Sequence, residues 1–231
     1  LFPDSFEDSE LGEIPKGWRV ISLGEMCGRV AMGPFGSDIK TDNFIDSGVP
    51  VIRGGNLTRR FVDEGFAFVS EAKADELRNA NAFPGDSVIT HRGTLGQVGF
   101  IPLRSRFPRY VVSQSQMLLS VNPEFATPRF VYEYLRSPVG QHALLANTSQ
   151  TGVPAIARPT TSLRAIRLLL PARPVLVAFE KRVGQFGERA VHATEESRRL
   201  AKLRDALLPK LISGELRVKH AERFVAEAKS A

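Results

Sequence analysis

Short apolar runs bounded by glycine and proline fill the first two-thirds of the chain, and one long heptad-spaced run fills most of the rest. Short runs of β-branched and apolar residues between turn formers read as strands. On that reading residues 11–23 lead in, turned by Pro15 and Gly17, with Trp18, Val20 and Ile21 opening a strand and Trp18 as a core anchor. Residues 49–52 form a strand that ends in the turn Arg53-Gly54-Gly55-Asn56, and 87–90 form a buried strand after the turn Phe83-Pro84-Gly85-Asp86. Strands at 110–112 and 117–121 flank the polar turn 113–116, and 165–170 is the last strand. The helices here are short. Residues 70–81 give one, with Ser70 as N-cap and Leu77 facing inward. Residues 128–146 give two, broken at Pro138, with Phe130, Tyr134 and Leu135, then Ala143, Leu144 and Leu145, on their inner faces. Glycines at 93, 96 and 99 mark a turn with close backbone approach, and 147–152 a polar loop.

From residue 174 the spacing changes to alternating steps of three and four. Leu176, Phe179, Val183, Phe186, Ala190 and Ala193 share one seam, which Ser197 and Arg204 interrupt. Leu200, Leu203, Leu207 and Leu211 carry it on after a small shift of register. The pattern predicts one helix over about 175–208, a rod of roughly 50 Å at 1.5 Å per residue. A narrow apolar seam with charges elsewhere suits a helix that pairs with a second long helix. Gly184 and Gly187 each cost such a helix about 1 kcal/mol against Ala, which disfavours a solitary rod. The competing reading folds the helix back onto its own domain.

Composition and charge narrow the class. The 231 residues, 42% of them hydrophobic, suffice for one domain of about 150 residues and an appendage. A single cysteine, Cys27, excludes a disulfide framework and fits a reducing compartment. Residues 1–13 hold five acidic side chains and no apolar run, unlike a secretory signal, and no apolar string is long enough to cross a bilayer. The expected location is the cytoplasm. The chain opens on Leu1, not Met, which is compatible with a piece of a longer protein. Residues 1–86 carry 9 basic and 15 acidic side chains (net −6), whereas 87–173 carry 10 and 2 (net +8) and 174–231 carry 12 and 8 (net +4). A basic segment behind an acidic one is the electrostatic footprint of a polyanion-binding protein. A basic surface with no partner is the alternative.

The residues with suitable chemistry cluster at turns. Arg53, Asn56, Arg59 and Arg60 follow the strand at 49–52. Arg92, Gln97, Gln114 and Gln116 carry the groups that pair bidentately with guanine and adenine edges. His91, Thr94, Ser113, Gln150 and Arg158 complete the candidate DNA-contact set. Other chemistries fit poorly. Residues 33–37 (Gly-Pro-Phe-Gly-Ser) lack the Gly-Lys-Ser/Thr ending of a phosphate-binding P-loop and read as a turn. His91, His142, His192 and His220 are scattered and there is no cysteine pair, so neither a zinc site nor a cofactor is expected. Asn122-Pro123-Glu124-Phe125 differs by one residue from the Asn-Pro-Pro-Phe/Tyr motif of methyltransferases. Its Glu would put a negative charge beside a target adenine, and no glycine-rich cofactor loop accompanies it. Asp86 with Glu71 and Lys73 has the residue types of a nuclease, but two of the three sit on a predicted surface helix. Both constellations read as structural, and no catalysis is expected.

Five stretches then occur in a telling order. They are 11–18 (Leu-Gly-Glu-Ile-Pro-Lys-Gly-Trp), 33–37, 84–86 leading to Thr94-Leu95-Gly96, Val112-Ser113-Gln114, and 207–216 (Leu-Leu-Pro-Lys-Leu-Ile-Ser-Gly-Glu-Leu). Together with the long terminal helix, they resemble one half of the DNA-specificity subunit of type I restriction–modification systems, over about residues 11–218. The resemblance implies one target-recognition domain reading half of a split DNA target. It also implies a spacer helix that pairs antiparallel with that of a second recognition half, with methyltransferase subunits docked on the rod and the restriction subunit joining through the complex. One departure stands at the start of the helix: the family commonly carries Pro-Leu-x-x-Gln there, and residues 174–179 contain no Gln.

The expected fold is therefore α+β: a mixed, sheet-rich recognition domain with short helices over 1–173, one coiled-coil-type helix over 174–214 and a tail over 215–231. The residues expected to pair that helix are Leu176, Phe179, Val183, Phe186, Leu200, Leu203, Leu207 and Leu211. The expected function is sequence-specific DNA binding, non-catalytic in itself. An assembly protein with an incidental basic surface is the alternative.

Overall fold

In the computed structural model, which describes residues 2–36, 38–58, 60–61, 63–149 and 152–216, the chain opens with a hairpin, β1 (Phe6–Ser9) and β2 (Gly12–Pro15). There follow β3 (Arg19–Ser22), the one-turn α1 (Leu23–Met26), β4 (Cys27–Met32), β5 (Val49–Ile52), β6 (Ala67–Val69) and α2 (Glu71–Glu76). Next come β7 (Asn81–Ala82), β8 (Ser87–Thr90), β9 (Val98–Phe100), β10 (Tyr110–Val112) and β11 (Gln116–Val121). The last elements are α3 (Pro128–Arg136), α4 (Pro138–Leu145), β12 (Thr148–Ser149), β13 (Ala155–Ile156), α5 (Pro159–Ala165), β14 (Arg167–Leu170) and α6 (Arg173–Ile212). The chain divides into two compact units, Leu1–Gly184 and Gln185–Ala231.

The first unit is layered. One four-stranded sheet has the order β4-β11-β8-β9 and a second the order β6-β5-β10-β7. In the first sheet, successive side chains point to opposite faces, so β8 and β11 each serve two cores. Ile89, Met117 and Leu119 join a core shared with α3, α4, α5 and the β3–β14 pair. Val88 and Leu118 turn the other way, into a core shared with β5, β6, β7 and β10. Burial on both faces accounts for the unbroken apolar runs of these strands. Each fully buried Ile or Leu contributes about 1.5–3 kcal/mol.

The two helices split at Pro138 are set by local chemistry. Thr127 Oγ1 accepts from Phe130 N (3.3 Å) and Ser137 Oγ from Gly140 N (3.1 Å), and each helix carries proline in its first turn, where no N–H is needed. Their buried residues are Val131, Tyr132, Leu135, Gly140 and Leu144, with Phe130, Tyr134 and Ala143 only partly covered.

The expected strand-rich order is observed, with corrections. Strands β1, β2, β4, β6, β7, β9 and β13 and helices α1 and α5 were not foreseen, and the helix expected over 70–81 stops at Glu76, with Asn81 in β7. Cys27-Gly28-Arg29 and Val98-Gly99-Phe100 carry glycines that mimic turns, and α5 is rich in β-branched threonine. Gly99 instead sits within β9, where a Cβ would stand 2.5 Å from Leu57 Cδ2. The loop expected at 147–152 contains β12, paired with β13. Trp18 is half-buried against the ring of Phe2 (6.0 Å) and is no core anchor.

Helix α6 begins at Arg173 and outruns the expected 175–208 at both ends. Proline in its last turn (Pro209) does not stop it; Gly214, at φ +75°, does, with Leu216 N donating to Lys210 O (2.9 Å). Leu176 is only 1% exposed and belongs to the core of the first unit, while Phe179 stacks edge-on against Phe130 (5.8 Å). The apolar surface of Leu176 is thus already covered, which corrects its assignment to helix pairing. In the second unit the seam is exposed, at Phe186 (66%), Leu200 (59%) and Leu203 (54%).

Gly140 tests the joint between α3 and α4, because a Cβ there would stand 1.9 Å from the carbonyl oxygen of Tyr134. Gly140→Ala should destabilise the fold by about 2 kcal/mol or more. Gly28→Ala, which meets nothing within 4 Å, should be near neutral. Thermal melts of the two variants check this.

Candidate nucleic-acid interface

The register of the sheets collects several loops at one end of the first unit. Strands β5 and β10 are parallel and both finish there, at Arg53 and Ser113. Strand β11 starts there after the turn 113–115 and runs antiparallel to β4 and β8, so those two also end there, at Gly33 and His91. The 91–97 connection returns into β9 at the same end. Backbone bonds tie the loops together: Gly33 N donates to Gln116 O (2.8 Å), Ser113 N to Ile52 O (2.9 Å) and His91 N to Ser115 O (3.0 Å). A further chain passes alongside, with Gly93 N donating to Pro154 O (2.9 Å) and Ile156 N to His91 O (2.9 Å).

Beneath the loops lies a polar network. Gln116, 1% exposed, donates through Nε2 to Thr90 Oγ1 (3.3 Å) and accepts at Oε1 from Ser113 Oγ. Thr90 Oγ1 donates in turn to Gln97 Oε1 (2.9 Å). A satisfied network of this kind fixes one geometry. Gly33 belongs to the same lock: a Cβ there would stand 1.9 Å from Ser113 O. Asn56 closes the β5 turn, accepting from Arg53 N (3.0 Å) and donating to Glu64 O (2.9 Å).

The predicted contact residues therefore separate into groups. Arg53, Arg92, Thr94, Gln114 and Arg158 are exposed, with Gln97 and Ser113 half-buried. Arg158 holds a left-handed conformation (φ 45°) two residues beyond β13, whose Ala155 bridges to Arg92. Asn56, His91 and Gln116 are buried, and their polar groups hold the loops in shape. Arg60 is exposed but ion-paired with Glu133 (2.7 Å) over the ring of Tyr132 (5.9 Å), which ties it to α3 and away from the loop cluster. Arg59 and Gln150 lie outside the described residues. Two neighbours escaped sequence reasoning. Phe35 and Arg78 line a cavity of about 550 Å³ together with Leu77, His91, Arg92 and Gln114. The paired glycines around Phe35 were a signal for the first; nothing in the sequence brings Arg78 to Arg92.

Burial lowers the pKa of His91 below the ordinary 6.5, the carbonyl of Gln114 raises it, and the charge of Arg92 lowers it further. The ring Nε2 lies 3.1 Å from Gln114 O, which assigns it the proton. Cys27 is buried, and its thiol is pushed up to about 12. Among the described residues no group of three His, Cys, Asp or Glu side chains could hold a metal ion. Asp86 accepts from Phe83 N (2.9 Å) and pairs with Arg29 (3.4 Å), whereas Glu71 pairs with Arg109 and Lys73 with Glu76 (2.7 Å). Asn122 Oδ1 accepts from Glu124 N (3.0 Å), closing its own turn. These residues do structural work at separate places. No helix among the described residues is long and apolar enough to cross a membrane.

No family model matches the chain. It is 22% identical over 204 residues to the type I restriction enzyme HindI specificity subunit of Haemophilus influenzae, covering 88% of this chain and 42% of that protein. It is 25% identical over 211 residues to the type I restriction enzyme MjaIX specificity subunit of Methanocaldococcus jannaschii, covering 89% and 46%. The chain is similar to one half of a type I specificity subunit. The crystal structure of the type I restriction–modification S subunit from M. genitalium shares its fold, with a TM-score of 0.61 at 16% identity over 92% of this chain and 49% of that one. The chain thus spans less than half the length of the curated relatives it matches.

A depressed His91 pKa means the folded state resists a proton that the unfolded chain accepts. The stability this neutral ring supports is complete above about pH 6.5 and falls as the pH drops through the lower folded value. An NMR titration should place the His91 ring protons below the midpoint of a model peptide. His91→Gln should flatten the stability slope below about pH 6.5.

Proposed function

We propose that this chain is the DNA-reading half of a type I specificity subunit. Residues 1–173 act as the recognition domain, 174–214 as the spacer helix and 215–231 as a tail. The observation that carries this reading is the set of exposed arginines and glutamine (Arg53, Arg92, Arg158 and Gln114) on loops tied together over a rigid buried network. Guanidinium groups on such loops can neutralise phosphates for register, while base-edge contacts supply selectivity. The partners on this reading are double-stranded DNA, methyltransferase subunits, a restriction/translocase subunit joined through the complex, and a second recognition half. The chain itself is non-catalytic and works in the cytoplasm. Its exposed seam residues Phe186, Leu200, Leu203 and Leu211 support pairing with the helix of that second half. The pairing set then comprises Val183, Phe186, Leu200, Leu203, Leu207 and Leu211, with Phe179 at its margin.

Binding to duplex DNA should weaken steeply with salt, by roughly 0.9 in the log–log slope for each phosphate neutralised. Arg92→Ala should weaken binding to the duplex that the complex modifies by about tenfold, and binding to random duplex less. Equal losses on both would make Arg92 a phosphate anchor, and salt-insensitive binding would refute DNA reading altogether. Fluorescence anisotropy across a salt series measures both.

The double substitution Leu200→Asp with Leu207→Asp should abolish assembly while the recognition domain keeps its melting transition. Sedimentation at normal mass would count against the spacer role.

A further inference from the structure

We infer that Phe35 is a base-reading side chain, an apolar contact for the 5-methyl group of thymine in the major groove; this rests on the DNA-reading function proposed above. A lone exposed aromatic is ordinary on a protein surface. Phe35 is not ordinary, for three reasons. It is 81% exposed, the most exposed of the large hydrophobic side chains described. Its loop is built to hold it out. Phe35 N donates to Asp38 Oδ2 (3.2 Å) and Asp38 N returns a bond to Phe35 O (2.9 Å). The glycines on either side press the loop onto the 113–116 turn, since a Cβ at Gly33 would stand 1.9 Å from Ser113 O and one at Gly36 2.6 Å from Gln114 Oε1. Third, the cavity it lines brings Arg78, Arg92 and Gln114 beside it, cationic and amide groups of the kind that meet a nucleic acid, along with the carboxylates of Asp38 and Glu76. An exposed ring cannot stabilise the fold by burial where it stands, so the lock that displays it serves contact with something else. Among bases in the major groove, only thymine offers a methyl group to an apolar side chain.

The test uses the full chain with the subunits that copurify with it. Bound duplexes are first selected from a randomised library. Each thymine of the selected motif is then replaced singly by deoxyuridine, which removes only the methyl. The expected result is one position at which the replacement weakens binding by the wild-type chain about three- to fivefold, the worth of one buried methyl. The F35A chain, with an unchanged melting transition, should bind the thymine and deoxyuridine duplexes at that position equally. It should still bind the motif, and Phe35→Leu should restore part of the difference.

A motif without thymine, no position sensitive to deoxyuridine, or undiminished sensitivity in F35A overturns the assignment while leaving DNA reading intact. A uniform loss of binding in F35A with no deoxyuridine effect marks a wedge between stacked bases, and overturns it as well. A wild-type chain that selects no motif sinks the DNA reading, and this inference with it.

Discussion

The turn at 113–116 is the joint on which the loop end of the first unit depends. It passes the chain from the second sheet to the first, from β10 to β11, so both sheets must meet at a fixed spacing there. The spacing is held by groups that cannot be exchanged. Ser113 Oγ and Thr90 Oγ1 pair with the buried amide of Gln116 at its oxygen and nitrogen, and the carbonyl of Ser113 sits where Gly33 would otherwise carry a side chain. Leaving a buried amide unpaired costs about 1–3 kcal/mol, and a Cβ at 1.9 Å cannot be accommodated without moving a strand. A change at any of these positions therefore shifts several loops together.

That coupling separates two tasks which the sequence presents as one. Arg and Gln at turns all have suitable chemistry for bases, yet the structure spends Gln116, Asn56 and His91 on shape and leaves Arg53, Arg92, Gln114 and Arg158 facing water. On the proposed DNA-reading function, rigid display matters because a bidentate contact is directional. A guanidinium on a mobile loop would lose in ordering entropy a good part of the ~1–3 kcal/mol that a correct base can return.

Much of the fold was legible because its strongest signals are local. Thr127-Pro128 and Ser137-Pro138 place two helix starts by capping and by the missing proline N–H, and Ser70 places a third. Buried strands such as Ser87–Thr90 announce themselves as apolar runs. The failures share a cause: glycine can mark either a turn or a close approach, and only tertiary contacts distinguish them. Gly99 lies in a strand because Leu57 presses on it; Gly93, at φ +91°, lies in a turn. The candidate site was legible in residue type and loop, but not in burial. Burial and pairing depend on partners such as Glu133 for Arg60 and Thr90 for Gln116, which are 73 and 26 residues away in sequence.

Helix α6 shows the same limit from the other side. Heptad spacing treats every seam position alike, so Leu176 and Leu200 look equivalent on a wheel. They are not: Leu176 is sealed among the buried side chains of the first unit, Arg129 reaches Glu180 at 3.4 Å, and Phe130 meets Phe179 edge-on. The first turns of the helix are thus part of a globular core, and their apolar residues are stabilised without any second helix. From Phe186 onward Phe186, Leu200, Leu203 and Leu211 are exposed and Leu207 is half-buried, and burying one exposed Leu or Phe against another apolar surface is worth about 1.5–3 kcal/mol. If α6 pairs as proposed, the free energy for pairing is concentrated in the stretch from Phe186 to Leu211, and a partner helix would gain little by reaching back to the start of α6.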